Sequence, residues 1–220
     1  MIPPKQIWEA IAQDIKEDII NGIYEAEDRL KETKLAEKYA VSKTPVREAL
    51  RYLGGIGFVE IVPHRMSYVT KKNKKDVQDL YRIQAVLEGL AVREALPNLK
   101  TNHYGKMEKY ANLLEKYSKE QKSKEYEKAN INFHSIIWQA SKNEKLIALI
   151  NNIYEQLQRF RSVTRRYPKR FGDLVADHRK ILMAVTQHDG EEAERLFRLH
   201  TKKQEQHIVE ILEKENKFRF

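Results

Sequence analysis

A chain of 220 residues, 41% hydrophobic and 33% charged, can bury one large core or two small ones, and its helices must carry wide solvated faces. The net charge of +9 favours a polyanionic partner, and the absence of cysteine excludes disulfides, thiol chemistry and cysteine-ligated zinc. No apolar run approaches the roughly 18 residues of a membrane-spanning helix, and residues 1–8 lack a signal-peptide core, so a soluble cytoplasmic chain with no membrane partner is expected.

The first predicted helix covers about residues 5–20, with Ile7, Ile11, Ile15 and Ile19 at i+4 spacing and Trp8, Ala12 and Ile20 widening the stripe. Asn21 and Gly22 end it. A short helix over 32–39 turns Leu35, Ala36 and Tyr39 inward, and another covers 43–53. Gly54, Gly55 and Gly57 then break the pattern. Residues 58–62 and 67–70 alternate as the strands of a small hairpin, with 63–66 as its turn. Residues 71–75 are polar, basic and free of apolar side chains, which is a linker composition. Everything after Asp76 reads as helix, in segments 76–96, 101–120, 124–141, 143–164, 171–188 and 190–215. Asp76, Thr101, Ser123 and Asp189 stand at or just before the starts. The expected fold is mainly α. Residues 1–70 form a winged helix-turn-helix, 71–75 a basic linker, and 76–220 an all-α antiparallel bundle.

Charge is unevenly placed. Residues 1–28 are acid-rich, whereas residues 29–75 hold twelve Lys or Arg against four Glu, a local net of +8. In the 43–53 helix, Val46, Leu50 and Leu53 form a core stripe, and Lys43, Arg47 and Arg51 share another face at i, i+4, i+8. Ser42 or Thr44 can cap its start, and Pro45 falls in the first turn either way. A charged stripe on an isolated helix is ordinarily a solvated face. A capped turn, a following hairpin and a local basic excess favour a recognition helix instead. In such a helix Arg can bond guanine O6 and N7, and Lys or Thr can hold a phosphate or base edge.

Residues 30–69 resemble the winged helix-turn-helix of GntR-type bacterial regulators. The resemblance is carried by Leu35-Ala36-Glu37, by the run from Val41 to Leu50, and by Gly57-Phe58-Val59-Glu60. It implies base or phosphate contact by Thr33, Lys43, Thr44, Arg47, His64 and Arg65. Three positions depart from the pattern. Thr33 and Lys43 stand where Arg is usual, and Met66 stands where the wing tip usually has Gly. Lys lacks the planar fork of Arg, so the bases read should differ.

In the second half, Asn130 and His134 share one helix face, and His178 and His200 follow on later helices beside apolar residues. A His on an apolar stripe is ordinarily a satisfied core residue. Three imidazoles and one oxygen would nevertheless suit a divalent transition metal such as Zn²⁺ or Ni²⁺. After the linker the chain is similar to the FCD-type ligand-sensing domain of the FadR branch of these regulators. That resemblance implies that Asn130, His134, His178 and His200 are metal ligands, with Asn130 replacing the usual Asp. Gln84 stands where an Arg usually meets an anionic ligand, which leaves Arg159 or Arg161 as the cation of an effector pocket.

No nucleophile elbow, P-loop or dinucleotide fingerprint is present. The reading is therefore a homodimeric, non-enzymatic transcription regulator that binds a pseudo-palindromic double-stranded operator. Its bundle would bind a small-molecule effector, an organic acid or other metabolite, together with a metal. Two rivals are a helical metal-dependent enzyme with a nucleic-acid-binding head and a nonspecific architectural DNA binder.

Overall fold

The computed structural model describes residues 4–62, 66–71, 73–164, 167 and 171–214. The first unit is built from α1 (Pro4–Ile20), β1 (Arg29–Leu30), α2 (Glu32–Tyr39), α3 (Lys43–Gly55), β2 (Val59–Val62) and β3 (Met66–Val69). The three strands form one antiparallel sheet in the order β1-β3-β2, with Leu30 opposite Ser67 and Glu60 opposite Tyr68. Ile11, Ile15 and Ile19 of α1 meet Leu35, Val46, Leu50, Leu53, Phe58 and Val69 in one core. This is the burial that the 3.6-residue period of α1 and α3 requires.

The α2–α3 turn is closed by Ala40, which takes a left-handed conformation (φ 53°), and by the Val41 N–H donating to the Ala36 carbonyl at 3.0 Å. Ser42 occupies the cap position of α3, but its side chain makes no capping hydrogen bond. The α3 helix also runs two residues past the expected end at Leu53. Gly54 and Gly55 stay helical, and the break comes at Gly57 (φ +77°).

The second unit contains α4 (Lys74–Ala95), a 3₁₀ turn (Leu96–Asn98), α5 (Thr101–Lys119), α6 (Ser123–Ala140), α7 (Glu144–Thr164), α8 (Phe171–Thr186) and α9 (Gly190–Lys214). Val92, Met107, Phe133, Ile137, Ile181 and Phe197 are fully buried between these helices. The expected 71–75 linker is shorter than its composition suggested. Asn73 caps α4 by accepting from the Asp76 N–H at 3.1 Å, and the Asp76 carboxylate accepts the Asn73 N–H at 2.7 Å. This reciprocal box starts the helix at Lys74, and Asp76 is its third residue rather than its cap. Thr101 and Ser123 are first helical residues, with Lys100 and Lys122 in the cap positions. Asp189 does cap α9, accepting from the Glu192 N–H at 3.0 Å.

The two units touch through α1 and α7. Lys16, only 9% exposed, lies 3.7 Å from Glu155. Gly57 faces Gln156 so closely that an added Cβ would lie 2.8 Å from its Oε1. Glycine at 57 thus satisfies both a left-handed backbone and the approach of α7.

Replacing Asn73 by Ala should remove one side of the capping box and lower stability by about 1 kcal/mol. The midpoint of urea unfolding monitored by helical ellipticity checks this.

Candidate functional site

Among the described residues, two places gather chemistry. The first is a groove between α3 and the sheet, lined by Arg29, Thr33, Lys43, Arg47, Arg51 and Met66 among others. Thr33, Lys43, Thr44, Arg47 and Arg51 are all exposed, while Val46, Leu50 and Leu53 on the opposite face of α3 are buried. Because Ser42 does not cap with its side chain, the first backbone N–H groups of α3 stay open, as a phosphate would need. His64 and Arg65 lie outside the described residues. Met66 opens β3 opposite Val62 and accepts a weak hydrogen bond from the Tyr68 hydroxyl at 3.7 Å. Sequence reading missed one partner in this groove. Glu32, the first residue of α2, accepts from Arg47 Nε at 3.1 Å and from Arg47 Nη2 at 2.7 Å.

The second place lies inside the bundle. His134, on α6, His178, on α8, and His200, on α9, are buried, and one ring nitrogen from each lies within 4.8 Å of the other two. Their hydrogen bonds orient the rings. The Leu174 carbonyl can only accept, so His178 Nδ1, 2.8 Å away, carries the proton and its Nε2 is bare. His134 Nδ1 lies 3.1 Å from the Glu88 carboxylate, and its Nε2 is buried and without a hydrogen-bond partner. Gln204 Oε1 faces the guanidinium of Arg161 at 3.4 Å, so its amide nitrogen points the other way, 2.7 Å from His200 Nε2. His200 therefore accepts at Nε2, and its Nδ1–H faces Asp177 at 3.7 Å. One nitrogen of each ring faces the other two, and the acceptors behind His134 and His178 orient those rings, as in histidine metal sites.

Asn130 completes the set. Its Oδ1 lies 2.9 Å from His178 Nε2, so two lone-pair atoms face one another. Either the amide turns to donate, or a cation accepts from both. Adjacent ligands of a metal with bonds of about 2.1 Å lie about 3 Å apart in octahedral geometry and about 3.4 Å apart in tetrahedral geometry, and this spacing is nearer the first. The donor set thus fits a divalent transition metal, with neutral nitrogen and oxygen ligands only.

Electrostatics follow burial. Burial pushes the Glu88 carboxyl up. The His134 ring, the Thr201 hydroxyl at 2.9 Å and the Arg161 charge outweigh it and hold Glu88 at about 2. Burial lowers His178 well below its ordinary 6.5, and the neighbouring imidazoles lower it further against the Leu174 hydrogen bond. Burial also lowers His200, opposed by Asp177. Beside the histidines is a small cavity lined by Tyr81, Asn130, Tyr154, Arg161, Gln204 and His207. Arg161 lies over the Tyr154 ring at 4.1 Å and donates to Tyr81 Oη at 3.2 Å and to Gln84 Oε1 at 3.0 Å. Gln84 and Arg161 are therefore brought together, while the Arg159 side chain lies outside the described residues. Glu88, Asp177, Thr201 and Gln204 were missed in the sequence. The available signal was their place on buried stripes, as with Tyr81, Gln84 and Glu88 on α4 and Phe197, Thr201, Gln204 and Ile208 on α9.

Comparison with known proteins gives a consistent result. Residues 8–69 match the family described as bacterial regulatory proteins, gntR family, and residues 79–203 match the FCD domain. The uncharacterized HTH-type transcriptional regulator YdhC of Bacillus subtilis (strain 168) is 27% identical over 205 residues, covering 92% of each chain. The Glc operon transcriptional activator of Escherichia coli (strain K12) is 27% identical over 232 residues, covering 94% of this chain and 91% of that one. Among solved structures, E. coli McbR/YncC superposes with a TM-score of 0.76 at 21% identity, covering 98% of this chain and 100% of that one. A putative transcriptional regulator GntR from Rhodococcus sp. RHA1 gives a TM-score of 0.71 at 20% identity, covering 92% and 97%. These two likenesses concern the fold.

As pH falls below about 6.5, the unfolded chain protonates its histidines while folded His178 and His200 resist. The stability they allow is complete above that pH and declines below it, by up to about 1.4 kcal/mol per pH unit for each group. Urea unfolding of chelator-treated protein between pH 7.5 and 5.5 should show this decline, and His178→Asn should flatten it.

Proposed function

The chain belongs to the gntR family of bacterial regulatory proteins with an FCD domain, and from that membership we propose a sequence-specific DNA-binding transcription regulator controlled through its helical bundle. The observation that carries the DNA-reading half is the exposed row Lys43, Arg47 and Arg51 on a helix whose other face is locked into the winged core. Residues 1–70 serve as the reading head and 76–220 as the sensing and dimerising unit. No helix among the described residues is long and apolar enough to cross a membrane.

The operator is a pseudo-palindrome read by two copies, because paired recognition helices sit one DNA turn apart. A second copy would cover the exposed row Ile83, Val86 and Leu90 on α4. In the sensor, Asn130, His134, His178 and His200 would hold Zn²⁺ or Ni²⁺. When bound, the metal supplies a Lewis-acidic point for an oxygen of the effector. Arg161, fixed between Tyr81, Tyr154 and Gln84, supplies the nearby cation for a carboxylate. The cavity of about 60 Å³ is far below the several hundred Å³ of usual small-molecule sites. An effector must therefore displace Arg161 or Gln204 from its present partners.

That displacement has a route to the head. Tyr154 and Arg161 line the cavity from α7, and Glu155 and Gln156 of the same helix touch Lys16 and Gly57. A shift of α7 would move the head, and a coupling of about 1–3 kcal/mol would suffice for control.

Two experiments test this reading. After selection of a preferred duplex from a random pool, Arg47→Ala should weaken that duplex at least ten-fold, the scale of one specific base contact, and reduce selectivity. Unchanged affinity and selectivity would refute the recognition-helix assignment. Elemental analysis of protein purified without chelator or nickel resin should find Zn or Ni in the wild type and far less in His178→Ala. Absence of metal, with no rise in thermal stability on adding Zn²⁺ or Ni²⁺, would refute the metal site.

A further inference from the structure

Within the groove between α3 and the sheet, Glu32 is the one carboxylate among the described lining residues, which include Arg29, Lys31, Lys43, Arg47 and Arg51. A carboxylate there repels every phosphate that approaches, so its placement needs a reason. The ordinary reason would be favourable charge at the start of α2, where Glu32 is the only acid of the first turn. The geometry shows something more specific. Glu32 lies fifteen residues from Arg47 and takes its guanidinium through two parallel bonds, Nε to Oε1 at 3.1 Å and Nη2 to Oε2 at 2.7 Å. The Arg47 charge holds the Glu32 carboxyl below the usual carboxylate range, with Lys43 and Arg51 adding to the effect.

We propose that Glu32 is a specificity-determining residue that fixes which edge of Arg47 is presented to DNA. The proposal rests on the DNA-reading assignment of α3. A guanidinium carries five N–H donors in a rigid plane. Glu32 occupies Nε–H and one Nη2–H, which removes the side-on edge from use. The end-on edge, formed by Nη1–H and the outer Nη2–H, remains directed away from α2. That edge can still meet a bidentate acceptor, and guanine O6 with N7 is the major-groove acceptor of that shape. Without the clamp, a long side chain that is 53% exposed is free to swing to the nearest phosphate. Glu32 therefore trades general affinity for discrimination. It repels phosphates, and it keeps Arg47 on a base edge.

This predicts opposite changes in two quantities, which a purely structural role would not produce. In full-length protein at fixed salt, Glu32→Gln should reduce discrimination at one base pair of each half-site by roughly ten-fold, the scale of one bidentate contact. The same variant should bind scrambled duplex as well as or better than wild type. Glu32→Asp keeps the charge at the start of α2 but is one methylene shorter, so it should lose the same discrimination while retaining the wild-type melting temperature. In an Arg47→Ala background, Glu32→Gln should cause no further loss. A uniform weakening on all duplexes, or additive losses in the double variant, would overturn the proposal. If wild-type protein fails to distinguish any selected duplex from a scrambled one, the DNA-reading assignment falls and the role of Glu32 falls with it. If Arg47→Ala loses selectivity while both Glu32 variants keep it, only the role of Glu32 falls.

Discussion

The Glu88 carboxylate is buried at the centre of the bundle, 1% exposed, and the bundle has to satisfy it. An ionised group in such a place costs several kcal/mol unless it is paired and hydrogen-bonded. His134 Nδ1–H and the Thr201 hydroxyl meet it at 3.1 and 2.9 Å, which ties α4 to α6 and to α9. The consequence reaches the site itself. With its Nδ1–H engaged by Glu88, His134 holds a buried Nε2 that has no hydrogen-bond partner. The Leu174 carbonyl sets the Nδ1–H tautomer of His178, and the Gln204 amide, 2.7 Å from His200 Nε2, does so for His200. The rings of the centre are therefore oriented by the groups packed around them.

The α7 helix then relates this centre to the winged head. Tyr154 and Arg161 of this helix border the cavity, with Arg161 over the Tyr154 ring, while Glu155 and Gln156, between them in sequence, press on α1 and on the turn before the wing. A packed helix moves as a unit, because interiors are close-packed and resist continuous deformation. In the proposed switch, rearranging Arg161 at one side would displace Gln156 at the other by one rigid-body motion.

Much of this was legible in the sequence, for reasons of period. The Val46, Leu50 and Leu53 stripe and the i+4 isoleucines of α1 define their helices because a buried face repeats every 3.6 residues. The strand β3 alternates in burial, whereas β2 does not and β1, two residues long, carries no period to detect. Asn73 sits in a basic run that looks like linker, and only the Asp three residues later reveals it as a cap. In the bundle, Asn130, His134, His178 and His200 stand out by residue type. Their supports do not, since Glu, Asp, Thr and Gln are ordinary helix residues until burial is known. The Glu32–Arg47 pair was hidden for another reason. Its members lie on different helices, and nothing local links residues fifteen apart.

The claim that joins these parts is that the state of the histidine centre sets the grip of α3 on DNA. The most direct measurement is the dissociation constant for the selected operator at one salt concentration, with protein loaded with Zn²⁺ or Ni²⁺ and with the same protein after chelation. The account predicts constants that differ by about five-fold or more, the lower end of ordinary allosteric coupling. Equal constants, with metal shown to be bound in one sample and removed from the other, would contradict it.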